Sequence, residues 1–255
     1  MSREQRYPRP APAKAFAAAI AASTLTVAGL ALAVAGCATE KAADTPSADT
    51  PTADHQAGEA AVTPEGGPEA AGGFRGLELT QPIAVPDFTL PDTDGHPYDF
   101  VEQTAGSLSF LFFGFTHCPD ICPVQLSNLT AALGDLPYAQ RRQIDVIFVS
   151  TDPDRDTPDV LRAWLDHFDP GIVGLVDDLE SVNAVLASLD LPPAVREDIP
   201  GSDDYRMGHI AQVMAITGDG LIRFAYPGGV RQADWRNDLP RLLALNASVV
   251  VAPGG

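Results

Sequence analysis

Hydrophobic and polar positions divide the chain into three stretches. Residues 15–36 form one apolar run rich in Ala, Leu and Val, whereas residues 38–80 contain almost no large apolar side chains. From about Gln81 onward, short apolar runs alternate with segments in which apolar residues recur every three or four positions. That alternation is typical of an α/β domain. The pattern therefore predicts one folded domain over residues 81–255, preceded by two segments of different character.

The same pattern predicts the elements of this domain. Two apolar runs, Ser107–Phe113 and Ile144–Ser150, have the composition of strands buried on both faces. Further strands are predicted at Val85–Leu90, at Ile172–Val176, and in a hairpin formed by Ala211–Thr217 and Leu221–Ala225. Helices are predicted over Asp120–Leu133, Thr157–Phe168, Asp178–Ser188 and Arg231–Asn246, the last kinked near Pro240. This order predicts a thioredoxin-like fold, with a central mixed sheet flanked by helices.

The first 36 residues have the features of a secretory signal. Four basic residues precede the apolar run, and the small residues at positions 34–36 stand directly before Cys37. Small residues before a cysteine resemble the lipobox of bacterial lipoproteins. That resemblance implies a lipid on Cys37 and a location on the extracytoplasmic face of the cell membrane. The alternative is an uncleaved signal anchor, because the 22-residue run is long enough to span a bilayer.

Residues 37–80 are interpreted as a disordered tether. The segment is acidic and rich in Ala, Pro and Thr. It cannot bury enough apolar surface to offset the entropy lost on ordering. His55 lies in this tether, and we expect it to be solvated.

Net charge and cysteine content narrow the range of functions. The chain has 16 Lys and Arg against 34 Asp and Glu, for a formal net charge of -18. Such a surface argues against binding nucleic acid. The three cysteines are too few for a disulfide framework or an all-cysteine zinc site. We expect the protein to be a monomer.

The informative segment is Phe115–Pro123 (FTHCPDICP), which leaves a predicted buried strand and enters a predicted helix. Cys118 and Cys122 are four positions apart, so on a helix their side chains lie on one face. The positive end of the helix is expected to lower the pKa of Cys118 toward the thiolate. Two thiolates on one face favour Cu(I) and also suit zinc, and a third ligand must come from elsewhere.

Four histidines of the predicted domain are candidates for that third ligand. We favour His209, because it lies just before the hairpin strand in a loop that faces the cysteine helix in a thioredoxin-like topology. His96 is expected to be a solvated turn residue and His167 a solvated helix residue. His117 is adjacent to Cys118, but its side chain is expected to point elsewhere.

Other chemistries stay open on these residues alone. Cys118 and Cys122 are redox candidates, because helical Cα atoms four positions apart lie about 6 Å from each other, near the long end for a disulfide. Thr116 and Pro119 close to a cysteine leave a peroxidase open, and a structural disulfide or a zinc-binding domain is the plainest alternative. Thioredoxin-type oxidoreductases place a proline in the loop where this chain has His209 and Ile210, which favours metal binding over electron transfer, and no catalytic residue is assigned.

Three blocks of sequence resemble the Sco/SenC family of copper chaperones. They are Thr116–Pro123 (THCPDICP), Val149–Pro158 (VSTDPDRDTP), and Tyr205 followed by His209. The resemblance covers roughly residues 82–245. It implies a thioredoxin-like, membrane-tethered, extracytoplasmic protein that binds copper, as Cu(I) or Cu(II). Such a protein helps to assemble the binuclear copper centre of cytochrome c oxidase, so a copper-accepting oxidase subunit is the implied partner.

The resemblance also implies roles for individual residues. Cys118 and Cys122 would be thiolate ligands of copper, and His209 the imidazole ligand. Asp152 would lie beside the site, where a carboxylate orients a ligand or biases the charge, with turn formation as its alternative role. Arg155 would hold the Asp152 loop together.

The chain departs from the family pattern in three respects. Gly208 stands where the family usually has an acid directly before the histidine, so a carboxylate is missing there and the loop is less constrained. Gln212 and Met214 stand where aromatic residues are common. A lipid anchor replaces the transmembrane helix of many members. Met214 is expected to pack in the core and Met207 to be exposed in the loop, rather than to ligate copper.

Overall fold

The computed structural model describes residues 73–251, the side chain of the last one excepted. In chain order its elements are β1 (Leu77–Ala84), β2 (Thr89–Pro91), β3 (Pro97–Asp99), α1 (Phe100–Thr104), β4 (Leu108–Gly114), α2 (Ile121–Gly134), α3 (Tyr138–Arg141), β5 (Ile144–Ser150), α4 (Pro158–Leu165), β6 (Val173–Leu175), α5 (Leu179–Ser188), β7 (Val195–Asp198), β8 (Tyr205–Gly208), β9 (Gln212–Thr217), β10 (Leu221–Pro227) and α6 (Gln232–Val251). The signal sequence, Cys37, His55 and the tether up to residue 72 lie outside the described residues.

Six strands form a mixed sheet in the order β1, β10, β9, β4, β5, β6. Strands β4, β5 and β6 are parallel, and the others join by antiparallel pairing. Every residue of β4 and β5 is buried, as expected for a parallel pair covered on both faces. The α/β, thioredoxin-like fold with a central mixed sheet and flanking helices is confirmed.

The register of the central strands creates one edge at which the site can form. Strands β4 and β5 pair from Leu108↔Ile144 to Gly114↔Ser150, so their carboxyl ends coincide. Strand β9 runs antiparallel to β4 and begins beside its end, with Phe112 opposite Val213. Loops that follow β4 and β5 and the loop that precedes β9 therefore meet at the same edge of the sheet.

The helices begin where their capping residues predict. Thr157 accepts a hydrogen bond from the backbone N–H of Val160 at the start of α4, and Pro158 occupies the first helical position. Asp178 caps α5 in the same way through the N–H of Ser181. Among the residues that the structure describes, no helix is both long and apolar enough to cross a membrane.

The sequence pattern failed at two places. The strand predicted at Val85–Leu90 does not form over those residues. Instead, β1 begins eight residues earlier, and the short β2 begins at Thr89. Strand β1 pairs only with β10 and is exposed along nearly its whole length, so it shows no apolar signal. The pattern also gives no indication of the β7–β8 hairpin, because all four residues of β7 are exposed. Met207 lies on β8 and is buried, so its expected exposure was wrong, whereas Met214 packs in the core as expected.

One buried carboxylate attaches the first described residues to α6. Asp238 accepts hydrogen bonds from the backbone N–H groups of Arg75 and Gly76 and from the hydroxyl of Tyr226. The segment before β1 is thereby part of the folded domain, which begins before residue 81.

We predict that Asp238→Ala lowers the free energy of unfolding by about 3 kcal/mol, because it leaves buried donors without an acceptor. Urea unfolding measures this change, and limited proteolysis should become faster within residues 73–84. The matched control is Asp135→Ala, which breaks an exposed ion pair with Arg236 and should cost less than about 1 kcal/mol. Equal effects of the two substitutions would contradict the anchoring role.

Candidate metal centre

Three potential ligands converge at the shared edge of the sheet. Cys118 lies between β4 and α2, Cys122 in the first turn of α2, and His209 between β8 and β9. The two sulfurs and one imidazole nitrogen all lie within 4.8 Å of one another. The structure thus brings together the three residues that the sequence analysis favoured as ligands.

Cys118 lies just before the helix, as the predicted helix start at Asp120 implies, so the two cysteines do not share one helical face. Helix α2 begins at Ile121 with Asp120 as its N-cap, and Cys118 belongs to the preceding turn. Pro119 disfavours the helical conformation for the residue before it. The Cys118 sulfur nevertheless accepts the backbone N–H of Cys122 at 3.4 Å. Because the Asp120 side chain makes no capping bond, this sulfur fulfils part of the capping role.

The imidazole of His209 presents its Nε2 atom to the cysteines. Nε2 lies 3.6 Å from Sγ of Cys122, and Nδ1 lies 3.3 Å from the carbonyl oxygen of Met207. A carbonyl only accepts hydrogen bonds, so this contact favours the tautomer with a proton on Nδ1. The free lone pair of Nε2 then faces the sulfurs. The His209 ring also packs against Phe115 in an edge-to-face arrangement, with ring centroids 5.0 Å apart.

The two thiols have opposite acidities. A hydrogen bond from the Cys122 thiol, assisted by the backbone N–H groups of Cys122 and Asp120, lowers the pKa of Cys118 to about 5. The same hydrogen bond to Cys118, together with burial, raises the pKa of Cys122. The helix end contributes to the low pKa of Cys118, as expected, but the neighbouring thiol contributes more. Without metal the pair therefore holds one thiolate and one thiol.

Glycine is required at the end of β4 because Cys122 packs against the strand. A Cβ atom on Gly114 would lie 2.8 Å from Sγ of Cys122 and 2.9 Å from Cζ of Phe148. Carbon and sulfur cannot approach that closely without displacement. The backbone of β4 thus determines how closely the Cys122 sulfur approaches the sheet, which we call its depth.

Asp156 is the site residue that the sequence analysis missed. Its buried carboxylate accepts the backbone N–H of Thr116 at 3.0 Å, the Thr116 hydroxyl at 2.5 Å and the Ser150 hydroxyl at 2.7 Å. Burial raises the pKa of Asp156, and these hydrogen bonds oppose that rise. The carboxylate therefore links the turn that carries Cys118 to the end of β5. Its sequence signal is its place in the block Val149–Pro158, where spacing alone does not distinguish it from Asp152 and Asp154.

The carboxylate of Asp152 is engaged on both oxygens. Oδ1 accepts the hydroxyl of Tyr205 at 2.6 Å, and Oδ2 pairs with Nε of Arg155 at 2.5 Å. Arg155 also donates to Asp204 and to the carbonyl of Tyr205, so it joins this loop to the β7–β8 hairpin. Asp152 thus connects the loop after β5 to the hairpin that leads to His209.

The structure does not bring the other histidines of its described part to the cysteines. His117 is exposed, with Nδ1 near the Thr116 hydroxyl and 4.0 Å from Asp156. His167 is exposed, with Nδ1 2.7 Å from the carbonyl oxygen of Ala163. His96 is exposed in a turn, where it forms a second potential ligand group with Asp92 and Asp94. An oxygen of Asp92 already accepts two backbone N–H groups of that turn.

The donor set of the cysteine site fits a soft metal ion. Ligands bonded to one ion at about 2.3 Å (sulfur) and 2.0 Å (nitrogen), the values known for zinc, lie roughly 3.5–4 Å apart. The 3.6 Å between Cys122 Sγ and His209 Nε2 is within that range. Two thiols and one neutral imidazole suit Cu(I) or zinc better than a hard cation.

Fold and site together define a thioredoxin-like protein with a candidate Cys2His centre for a soft metal. The sequence model of the SCO1/SenC family matches residues 78–244. A Stutzerimonas stutzeri protein whose name refers to copper binding is 32% identical over 167 residues, which are 66% of this chain and 80% of that protein. The chain belongs to the SCO1/SenC family.

Solved structures of the family agree with this assignment. Apo Sco1 from Thermus thermophilus is 30% identical, with a TM-score of 0.59, and the match covers 66% of this chain and 96% of that one. ScoI from Bradyrhizobium japonicum, solved with copper bound, is 28% identical with a TM-score of 0.54. That match covers 63% of this chain and 99% of the other.

We predict that Gly114→Ala displaces the Cys122 sulfur and weakens metal binding. The substitution should also destabilise the fold by about 1–3 kcal/mol, because the new methyl group meets packed atoms. Gly134→Ala is the matched control, since a Cβ there would meet nothing within 4 Å. Urea unfolding and Cu(I) competition titration measure both variants. Equal behaviour of the two would show that β4 does not set the depth of Cys122.

We also predict that Cys122→Ala raises the pKa of Cys118 from about 5, because it removes the main hydrogen-bond donor to the thiolate. In a Cys37→Ser background, alkylation of Cys118 by iodoacetamide should be independent of pH above about pH 6. With Cys122→Ala the rate should instead keep rising through neutral and mildly alkaline pH. Superimposable pH profiles would mean that the Cys122 thiol does not acidify Cys118.

Proposed function

We propose that this protein is a copper carrier that delivers copper to the binuclear copper centre of cytochrome c oxidase. The observation that carries the proposal is the convergence of Cys118, Cys122 and His209 within 4.8 Å at one edge of the sheet. Relatives that are named for copper binding, or solved with copper bound, support it. Copper is the cargo of such a protein rather than a resident cofactor.

The donor set explains how a carrier would hold Cu(I) and still release it. The pKa of Cys118 is about 5, so this side chain is a thiolate at neutral pH. Binding of the ion would displace the remaining thiol proton from Cys122. Two anionic sulfurs and one neutral nitrogen leave a three-coordinate ion with a local charge of about -1. Low coordination gives an acceptor thiolate a free position.

Unequal burial of the ligands indicates the order of release. Cys122 is fully buried, whereas Cys118 retains 9% of its surface and His209 is half-buried. An acceptor ligand would therefore approach on the side of Cys118 and His209. Each new bond to copper would form before one of these bonds breaks, and the oxidation state of copper does not change during that exchange.

We infer the location from the N-terminal segment. Cleavage before Cys37 and lipidation of its sulfur would hold the domain on the extracytoplasmic face of the cell membrane. The acidic tether that begins at Cys37 would then separate the anchor from the folded domain. An uncleaved signal anchor would give the same location without the lipid.

The acidity of Cys118 favours a second candidate function, thiol–disulfide exchange. A thiolate at near-neutral pH can attack a partner disulfide, and the Cys122 thiol is adjacent to resolve the mixed disulfide. The partner disulfide would gain two electrons from the pair and two protons, one from the Cys122 thiol and one from solvent, and Cys118 and Cys122 would become a disulfide. This activity would not require His209, so substitution of His209 separates the two candidates.

We predict that His209→Ala weakens Cu(I) binding by the reduced full chain at least about tenfold, since it removes one of three ligands. Anaerobic titration against a chromophoric Cu(I) chelator measures the affinity, with Cys37→Ser in every variant. His167→Ala is the control, because this histidine is exposed and lies outside both groups of potential metal ligands in the described part of the chain. Unchanged affinity in His209→Ala would remove that residue from the site. Retained reduction of a disulfide substrate would then favour exchange chemistry.

A further inference from the structure

His209 is attached to the fold differently from the two cysteines. The cysteines follow β4 of the central sheet, whereas His209 follows β8, which pairs only with β7 in a separate two-stranded sheet. Gly208, directly before the histidine, contributes no side chain that could restrain it. The position of the imidazole therefore depends on what fastens the β7–β8 hairpin to the rest of the domain.

A column of alternating guanidinium groups and rings runs from the hairpin surface to His209. The guanidinium carbons of Arg196 and Arg155 each lie 3.8 Å from the ring centroid of Tyr205. Two groups that close to one centroid must occupy opposite faces of the ring. Arg155 also lies 5.9 Å from the ring of Phe115, and that ring packs on the His209 imidazole with centroids 5.0 Å apart.

Hydrogen bonds hold the middle of the column in place. The Tyr205 hydroxyl donates to Asp152, whose other oxygen pairs with Arg155. Desolvation and the neighbouring Asp152 carboxylate raise the pKa of Tyr205 to about 12, so this hydroxyl stays a donor at neutral pH. Arg196 is held over the ring by Asp198 at 2.8 Å and Asp154 at 3.5 Å.

The column joins the loop after β5 to the β7–β8 hairpin. Arg155 and Asp152 belong to the loop after β5, and Tyr205 and Arg196 to the hairpin. Planar guanidinium groups suit this geometry, because they stack on ring faces while their edges donate to carboxylates. A lysine at either position would keep the charge but not the stacking.

We propose that the column Arg196–Tyr205–Arg155–Phe115 sets the position of the His209 imidazole, and that Tyr205 and Arg196 are positioning residues for metal binding. They act through His209 and do not touch the metal. The inference rests on the proposed Cu(I) site and extends it to residues more distant from the cysteines. Arg196 is the sharpest test of it, because its side chain is 45% exposed and is remote from the core.

The test is a double-mutant cycle on the full chain with Cys37→Ser, measured by anaerobic competition for Cu(I). Arg196→Met should weaken binding about two- to fivefold, the value of one exposed cation–π contact. Tyr205→Leu should weaken it about tenfold, since both stacking contacts and the hydroxyl are lost, whereas Tyr205→Phe should lose less. In a His209→Ala background, neither Arg196→Met nor Tyr205→Leu should change the affinity by more than about twofold.

The matched control is Arg223→Met. Arg223 also pairs with a carboxylate, Asp219, but it lies on β10 close to the turn between β9 and β10, at the opposite end of β9 from His209. This substitution should leave Cu(I) affinity unchanged. Thermal unfolding of every variant confirms that the metal-free domain is folded.

Two results of the cycle would overturn the inference. Unchanged affinity in Arg196→Met and Tyr205→Leu would show that the column does not position a ligand. Equal losses with and without His209 would show that it acts on the domain as a whole.

A second readout separates this inference from the proposed function. In the metal-free protein, the imidazole nitrogen NMR signals of His209 should report protonation on Nδ1, and they should shift toward a tautomer mixture in Tyr205→Leu and Arg196→Met. If the parent chain does not bind Cu(I) tightly, the proposed function fails and this spectrum alone decides the inference. Identical His209 signals in parent and variants would then overturn it.

Discussion

The buried carboxylate of Asp156 is the constraint on which the geometry of the site depends. It lies between the turn after β4 and the end of β5, and it accepts hydrogen bonds from both. Burying a charge is costly unless it is fully hydrogen bonded, so these donors must stay in place for the fold to keep its stability. The turn that carries Cys118 is consequently fixed to the same loop that carries Asp152 and Arg155. From there the polar contacts continue to Tyr205 and the hairpin that leads to His209.

The cysteines and the histidine of the site are held in place by different parts of the fold. The cysteines are rigidly placed, because Cys122 packs on β4 at Gly114 and Cys118 accepts an N–H of the helix start. The histidine is placed by a small hairpin and a column of stacked side chains. A site with two rigidly positioned ligands and one ligand that can shift is suited to a cargo ion that must be bound and then released. The coupled thiols also leave only one proton to be displaced when a soft cation binds.

The parts of the fold that could be predicted from the sequence are strands that are buried throughout and helices whose starts are marked by capping residues. The runs that became β4 and β5 are apolar throughout, and Thr157 and Asp178 mark the starts of two helices by their capping chemistry. Strand β1 and the β7–β8 hairpin are mostly exposed, so their formation depends on backbone pairing, which leaves no hydrophobic pattern. In the same way, the cysteine pair and His209 could be chosen from chemistry and position. The role of Asp156 depends on its contact with Thr116, which lies 40 positions away in the sequence, and spacing does not reveal that contact.

The central claim is that Cys118, Cys122 and His209 bind one copper ion together. X-ray absorption spectroscopy of the Cu(I)-loaded full chain, carrying Cys37→Ser, tests it most directly, because scattering by sulfur and by nitrogen ligands is distinguishable. The account predicts two sulfur ligands and one nitrogen ligand, with the imidazole scattering absent in His209→Ala. A coordination shell of two sulfurs alone, or one dominated by nitrogen and oxygen, would contradict it.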